Sequence, residues 1–371
     1  AIMLYKKING ANMELISVTN DNRKDFLKFY KKQYLLSDLK RDSMSGFLKN
    51  LLTGKSELCK SVYTEPVMVV DNNEITMISV LAHAQRMPEY IQICFFESDK
   101  FNMDAFKLIL DRAVKAAEEK GAHKLTGSLN MHVNYGLGFL ASDFDKKQSF
   151  GSAHNPEFYN AYFEKNGFET IDLVSYKKDM VNSPELINND IREKLNEVYS
   201  VRKSDFKNFK QEIEVYTKIN NEAFSDHLFY YRRKTEEDYE LFKDLKYLMK
   251  EENLLFVEKA GVPVGFMLWY PDFNEIIGKG ETAGIKTVIK NKLFSNRIKT
   301  FKIVEMGVIP GERNKGAILA LFDYCFKCTK EKYDTMESSW ILAKNLKSKS
   351  FGIKWADEES KHYKAYVKEL I

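Results

Sequence analysis

The stretch FKIVEMGVIPGERNKGAILALFDYCF, residues 301–326, constrains the fold more than any other part of the chain. Its first part is an apolar run carrying a single acid, Glu305, and reads as a strand. Its last part places Ile318, Leu321, Phe322, Cys325 and Phe326 at helical spacing on one apolar face. Between them, Arg313, Asn314, Lys315 and Gly316 make a short charged bend that hands the strand to the helix. The first N–H groups of such a helix lack partners and face the positive end of its dipole, a setting suited to a phosphate.

The same order of elements occurs twice. In the first half, helical patterns near 23–34 and 43–53 precede strand-like runs at 67–72, 74–82 and 90–96. Asn102 can cap the next helix, Gly121 can end it, and HKLTGSL, NPEFYNAYFEKNGF and TIDLVSYKK read as strand, short helix and strand. In the second half a helix at 204–222 is followed by LLFVEK, a turn at Ala260-Gly261, PVGFMLWY, the 301–309 strand and the helix after Gly316. MESSWILA is a further strand, and a last helix starts near Asn345. The polar stretch NSPELINND marks a boundary, giving units at 13–183 and 190–371, with residues 1–12 read as a leader or expression remnant before Met13.

Composition removes several function classes. With 57 basic and 53 acidic residues the formal net charge is only +4, so a nucleic-acid partner is not expected. No apolar run reaches the ~18–20 residues of a membrane span and no signal peptide opens the chain, so a cytoplasmic protein without a membrane partner is expected. Cys325 and Cys328 form a lone CxxC inside the predicted helix, without further ligands nearby; it is read as structural and no metal is expected.

Residues 313–316 resemble the start of the (Q/R)-x-x-G-x-(G/A) loop of the GNAT acyltransferases, and FYNAYFEKNGFE (158–169) resembles a second hallmark of that superfamily. The stretches CFFES (94–98), GSLNMHVNYGLGFLASDFD (127–145), NEAFSD (221–226) and PVGFMLWYPDFN (263–274) resemble a bacterial family of tandem GNAT-like proteins. The resemblance implies an α/β (α+β) chain of two tandem GNAT-like domains, each a mixed, mostly antiparallel sheet flanked by helices. It implies acetyl-CoA or another acyl-CoA as co-substrate, with backbone groups at Met306 and Val308 and the loop Arg313, Asn314, Lys315, Gly316 and Ala317 holding it, and Asn345 starting the following helix. Ile318 departs from the loop pattern, and the first half has the acids Glu97 and Asp99 where its own loop would lie. Only the second half is therefore expected to bind the coenzyme.

Transfer of an acyl group to an amine needs a proton acceptor and hydrogen-bond donors to the carbonyl. Glu305 is the acid of its strand and the first candidate base; by strict alternation it shares a face with Ile303. Tyr363 and Tyr366 are candidate acids, because the position seven after Asn345 is Gly352 and not tyrosine. The glycine-bearing loop with His132, Asn134 and Tyr135, and Asp272 with Asn274, are candidates for the acceptor site; Asp272 and Asn274 equally suit a turn cap. Arg232 and Arg233 either grip an acidic acceptor or lie on a solvated face. The expected activity is acyl-CoA-dependent N-acylation of a small-molecule or peptide amine. Aminoacyl transfer from tRNA and ligand sensing without catalysis are the alternatives.

Overall fold

The computed structural model describes residues 4–7, 13–345 and 354–370. The first half opens with strand β1 (Leu4–Lys7) paired to β2 (Met13–Ser17), then helices α1 (Arg23–Leu35) and α2 (Ser45–Leu52). The hairpin β3 (Val62–Asp71) and β4 (Glu74–Ala84) turns at Asn72 and Asn73, both at positive φ (49° and 67°), as a two-residue hairpin turn requires. Strand β5 (Tyr90–Ser98) pairs with β4 and leads into α3 (Met103–Lys120), capped by the Asn102 side chain. Then come β6 (Lys124–Gly127), β7 (Phe139–Leu140), α4 (Phe158–Glu164) and the long β8 (Glu169–Asp179).

The second half repeats this plan. Helix α5 (Asn189–Val198) and β9 (Ser200–Lys203) lead to α6 (Phe209–Ala223) and α7 (Thr235–Leu245). The hairpin β10 (Leu254–Lys259) and β11 (Val262–Pro271) turns at Ala260 and Gly261, again both at positive φ (50° and 76°). After α8 (Ile285–Phe294) come β12 (Thr300–Val308), α9 (Ala317–Thr329), β13 (Thr335–Ser338), β14 (Ile341–Leu342) and β15 (Glu358–Glu369). The helix expected from Asn345 falls mostly outside the described residues.

The fifteen strands of the described residues form one sheet, ordered β1-β2-β3-β4-β5-β6-β15-β8-β13-β12-β11-β10-β9, with β7 and β14 attached to β15 and β8. Each half contains one parallel pair, β5 with β6 and β12 with β13, bridged by α3 or α9; the remaining pairings are antiparallel. The last strand, β15, does not pair with β12 or β13. It lies between β6 and β8, so the end of the chain completes the sheet of the first half.

Helices cover both faces in each half. In the first, α3 and α4 press Phe106, Tyr162 and Phe163 onto one face, while α1 and α2 bury Phe26, Tyr30 and Leu48 against the other. In the second, α9 packs Leu321, Phe322 and Cys325 on one face and α6 packs Ile213 and Tyr216 on the other. Phe229 and Tyr231 from the second half enter the α1/α2 core, so the halves share apolar interior.

Tyr366 on β15 is fully buried, stacks on Phe163 with ring centroids 5.0 Å apart, and donates to Asn160 Oδ1 at 2.9 Å. Tyr366→Ala should destabilise the protein by roughly 3–5 kcal/mol in urea unfolding, the usual cost of emptying a large aromatic site. A loss below about 1 kcal/mol would show that β15 is peripheral to the first half.

Candidate functional site

The site grows from an irregularity in β12. Its register against β11 shifts between Leu268 and Trp269, so Val304 forms a bulge. Ile303 therefore packs in the α9 core, whereas Glu305 turns to α6. The alternation that put Glu305 and Ile303 on one face is corrected here: one extra residue in the strand reverses the parity. Helix α6 comes close to β12 because residue 307 is glycine; a Cβ there would lie 2.8 Å from Ala223 Cβ. That approach brings Tyr216 and Asn220, one helical turn apart, to the Glu305 carboxylate. Tyr216 donates its hydroxyl at 2.5 Å and Asn220 its amide at 2.8 Å.

Behind Tyr216 lies a buried ion pair. The Arg233 and Asp238 side chains are completely enclosed, 2.6 Å apart, and Arg233 also reaches the Tyr216 oxygen at 3.4 Å. Neither reading of Arg233, acceptor clamp or solvated charge, describes this position; Arg232 is exposed. Burial lifts the Asp238 carboxyl to about 6 against the opposing pull of Arg233. Burial and the neighbouring Glu305 charge push the Tyr216 hydroxyl well above its ordinary value, so it stays a donor to the carboxylate.

The first half supplies Asn134. With its amide oxygen toward Arg233 it accepts from the two terminal guanidinium nitrogens at 2.6 and 3.0 Å. The opposite orientation, which would donate to Glu305 Oε2 at 3.4 Å, sets an NH₂ group against the guanidinium and is rejected. His132 fixes this loop: one ring nitrogen accepts from the Asn134 N–H at 3.2 Å, which leaves the other to donate to the Tyr231 carbonyl at 3.1 Å. Burial, reinforced by Arg233, holds His132 well below its usual range and neutral. Tyr135 is buried and donates to the Glu237 carbonyl. The 132–135 loop thus lies beside Glu305, with Asn134 reaching furthest into the network.

Two sets of backbone donors open near Glu305. The Ile309 N–H bonds to Val264 on β11, so alternation turns the N–H groups of Met306 and Val308 to the other edge of β12. There, pairing with β13 ends at Ile303, whose carbonyl accepts from Ser339, and the two strands part. Beyond them the chain makes a short turn at Pro310–Glu312, pinned by Tyr199 and Lys259 on Glu312 and by Arg313 on the Ala223 carbonyl. Asn314 (φ 63°) and Gly316 (φ 100°) then bend it into α9. At φ 100° Gly316 holds a backbone conformation that favours glycine; an added Cβ would meet only the movable end of Leu195, Cδ2, at 2.6 Å. No described residue accepts from the N–H groups of Asn314 to Leu319, ahead of the first loop-to-helix bond at Ala320. An anionic phosphate fits such a set of donors.

The equivalent places in the first half are filled. The Phe95 N–H, beyond the last β5–β6 pair, is taken by Asn130 Oδ1 at 2.8 Å. The N–H groups of Ser98 and Asn102 are met by the Tyr159 and Tyr162 hydroxyls, and Asn102 caps α3 itself. Glu97 is buried and accepts from Tyr34 and Tyr159.

Other candidates lie elsewhere. Asp272 accepts from the N–H groups of Phe150 and Asn274, while Asn274 donates to the Gln148 carbonyl; both tie β11 to the first half's 148–152 loop. Tyr363 is buried on β15, opposite Leu140 and Leu173. Asn345 is exposed and donates its N–H to Leu342. Tyr216 and Asn220 were missed as site residues, although the NEAFSD stretch that begins at 221 adjoins them and their i, i+4 spacing marks a single helix face. Among the described residues no cluster of His, Cys, Asp or Glu suits a metal ion.

No family model matches the chain. It is 25% identical over 271 residues to the bacterial ceramide synthase of Caulobacter vibrioides, covering 69% of this chain and 70% of that protein. Among solved structures, a tandem GNAT protein from the clavulanic acid biosynthesis pathway aligns over 96% of this chain and 98% of its own, with TM-score 0.54 and 10% identity. The chain has the tandem GNAT fold. A GCN5-related glucosamine N-acetyltransferase region of a fungal multi-domain β-N-acetylglucosaminidase aligns over 98% of this chain, with TM-score 0.57 and 11% identity; the chain spans 39% of that larger protein. The tandem GNAT fold accounts for the repeated order of elements and the single mixed sheet.

Burial lifts the Asp272 carboxyl to about 7, above the ordinary ~3.9 of an unfolded chain. The folded state then binds this proton more tightly than the unfolded one, so the contribution of Asp272 to stability declines as pH rises from about 4 to about 7. Asp272→Asn keeps an oxygen for both N–H donors and removes the decline. It should be more stable than the parent at pH 8 by on the order of 1–3 kcal/mol in urea unfolding, with the difference vanishing near pH 4. A less stable variant at pH 8 would show that buried Lys302 requires the carboxylate charge.

Proposed function

We propose that the protein is an N-acyltransferase that uses an acyl-coenzyme A bound by its second half to acylate an amine. The observation that carries this reading is the juxtaposition on one strand: Glu305, held by Tyr216 and Asn220, beside the free edge of Met306 and Val308 and ahead of the 313–317 loop. The N–H groups of Asn314 to Ala317 suit the coenzyme's pyrophosphate, and the strand gap suits the pantetheine and acyl carbonyl. A bound acyl thioester supplies the activated carbonyl. Glu305 takes a proton from the acceptor ammonium so that the free amine attacks the carbonyl carbon, and the Met306 and Val308 N–H groups donate to the carbonyl oxygen. Tyr216 and Asn220 keep the carboxylate oriented, with the Arg233–Asp238 pair behind them. The leaving thiolate is a weak base and can be protonated by solvent, so a tyrosine in the usual place is dispensable.

The acceptor side is bounded by α6, the 224–234 segment and the Asn134 loop of the first half. Phe224, His227, Tyr230 and Trp340 make it largely aromatic. That lining, together with the name of the Caulobacter relative, favours a long-chain amine over a small polar one.

Calorimetric titration with coenzyme A should give one site per chain, lost in Gly316→Glu, which adds bulk and like charge at the loop. Two equal sites would refute assignment to the second half alone. Glu305→Gln should lower turnover with a long-chain amine and an acyl-CoA by roughly 10²–10⁴ while leaving coenzyme affinity unchanged. Full activity in that variant would remove Glu305 as base, and coenzyme binding without transfer to any amine would favour a sensing role.

A further inference from the structure

Helix α8 is built inside out. Its buried side carries Thr287, whose hydroxyl accepts from the Gly284 N–H, and Asn291, whose amide donates to the Leu248 carbonyl at 2.9 Å. Its exposed side carries Ile285, Ile289 and Leu293, spaced four residues apart and 82%, 52% and 66% accessible. Apart from Val288, which packs against the neighbouring core, the helix buries polar residues and presents its isoleucines, against the usual amphipathic arrangement. Tyr247, beside the Leu248 anchor, is also exposed, and Phe294 ends the helix half-exposed with the Arg297 guanidinium over its ring.

The helix and the turn after it carry charge of one sign. From Thr282 to Ile298 the sequence holds Lys286, Lys290, Lys292 and Arg297 and no acid. Helical geometry places Lys292 on one flank of the stripe and Lys286 and Lys290 on the other. Lys290 is paired with Glu281 at 2.5 Å. Among the described residues no carboxylate lies within ion-pair distance of Lys286, Lys292 or Arg297.

We propose that α8 is a membrane-surface element that lies in the headgroup region of an anionic bilayer. Its aliphatic stripe enters the acyl boundary while the flanking ammonium groups reach lipid phosphates. The absence of a helix long and apolar enough to span a membrane among the described residues bears on crossing, not on lying along a surface. A second copy of the chain is a poorer occupant, since a two-fold contact through α8 would bring Lys286 and Lys292 against their own kind. An acidic protein would satisfy the lysines but not so readily an exposed row of three branched aliphatic chains. The proposal rests on α8 alone and is independent of the chemistry proposed for Glu305.

The test is flotation of the full chain with vesicles of phosphatidylcholine alone and of phosphatidylcholine mixed with phosphatidylglycerol. The chain should float with the mixed vesicles, hardly with the neutral ones, and be released by added salt. Ile289→Asp should abolish flotation. Lys286→Glu combined with Lys292→Glu should weaken partitioning by at least about 20-fold. These side chains are exposed, so thermal melts should match the parent; should a variant melt early, the lipid and salt dependence of the parent still decides. Failure of the parent to float with mixed vesicles, or flotation unchanged by Ile289→Asp, would overturn the proposal. So would a concentration-dependent dimer in sedimentation velocity that Ile289→Asp abolishes without any flotation, which assigns the stripe to a second copy.

Discussion

A sheet must find a partner for every backbone N–H it encloses, and the structure turns on where it leaves that requirement open. Beyond Ile303 the strands β12 and β13 part, so among the described residues no strand lies beside the outward N–H groups of Met306 and Val308. A few residues later, α9 begins on Gly316 without a side-chain cap. The first half parts in the same way beyond Ile93 but closes the gap with Asn130 and covers its helix entry with Tyr159, Tyr162 and Asn102. Equivalent folds thus reach opposite ends: one satisfies its own donors, while the other leaves them without a partner among the described residues, as the proposed coenzyme site requires.

The scaffold half is not a passive neighbour. It receives β15 from the end of the chain and contributes Asn134 to the network behind Glu305. It also takes Phe229 and Tyr231 into its core and holds β11 through Phe150, Asp272 and Asn274. Movement of one half against the other would break sheet pairing, shared core and buried hydrogen bonds together. Rigid placement of this kind is what the proposed site, assembled from both halves, requires, because catalytic groups lose effect with small displacements.

The Arg233–Asp238 pair is costly to bury and adds little to stability as a pair. Its value lies in direction: the guanidinium fixes the Asn134 amide and approaches the Tyr216 oxygen, so the hydroxyl proton has Glu305 as its acceptor. A carboxylate that receives two ordered donors on one side is left with its remaining lone pairs for an incoming group.

The sequence by itself determined the elements whose causes are local. Asn72-Asn73 and Ala260-Gly261 specify tight hairpins, Asn102 and Gly121 bound α3, and Gly316 allows the bend into α9, all through short-range backbone preferences. The resemblance of 313–316 and 158–169 to GNAT acyltransferases, together with that of the stretches at 94–98, 127–145, 221–226 and 263–274 to tandem GNAT-like proteins, pointed to the fold. Tertiary structure alone decided the rest. The face of Glu305 depended on a bulge at Val304, which exists only in the pairing with β11. The place of β15 depended on two strands more than 180 residues away. Arg233 became a buried partner and not a surface charge because Asp238 and Asn134 converge on it from different elements. Local rules fix which segments bend or extend. Which edge, face or charge each meets is a property of long-range pairing, which a linear pattern does not carry.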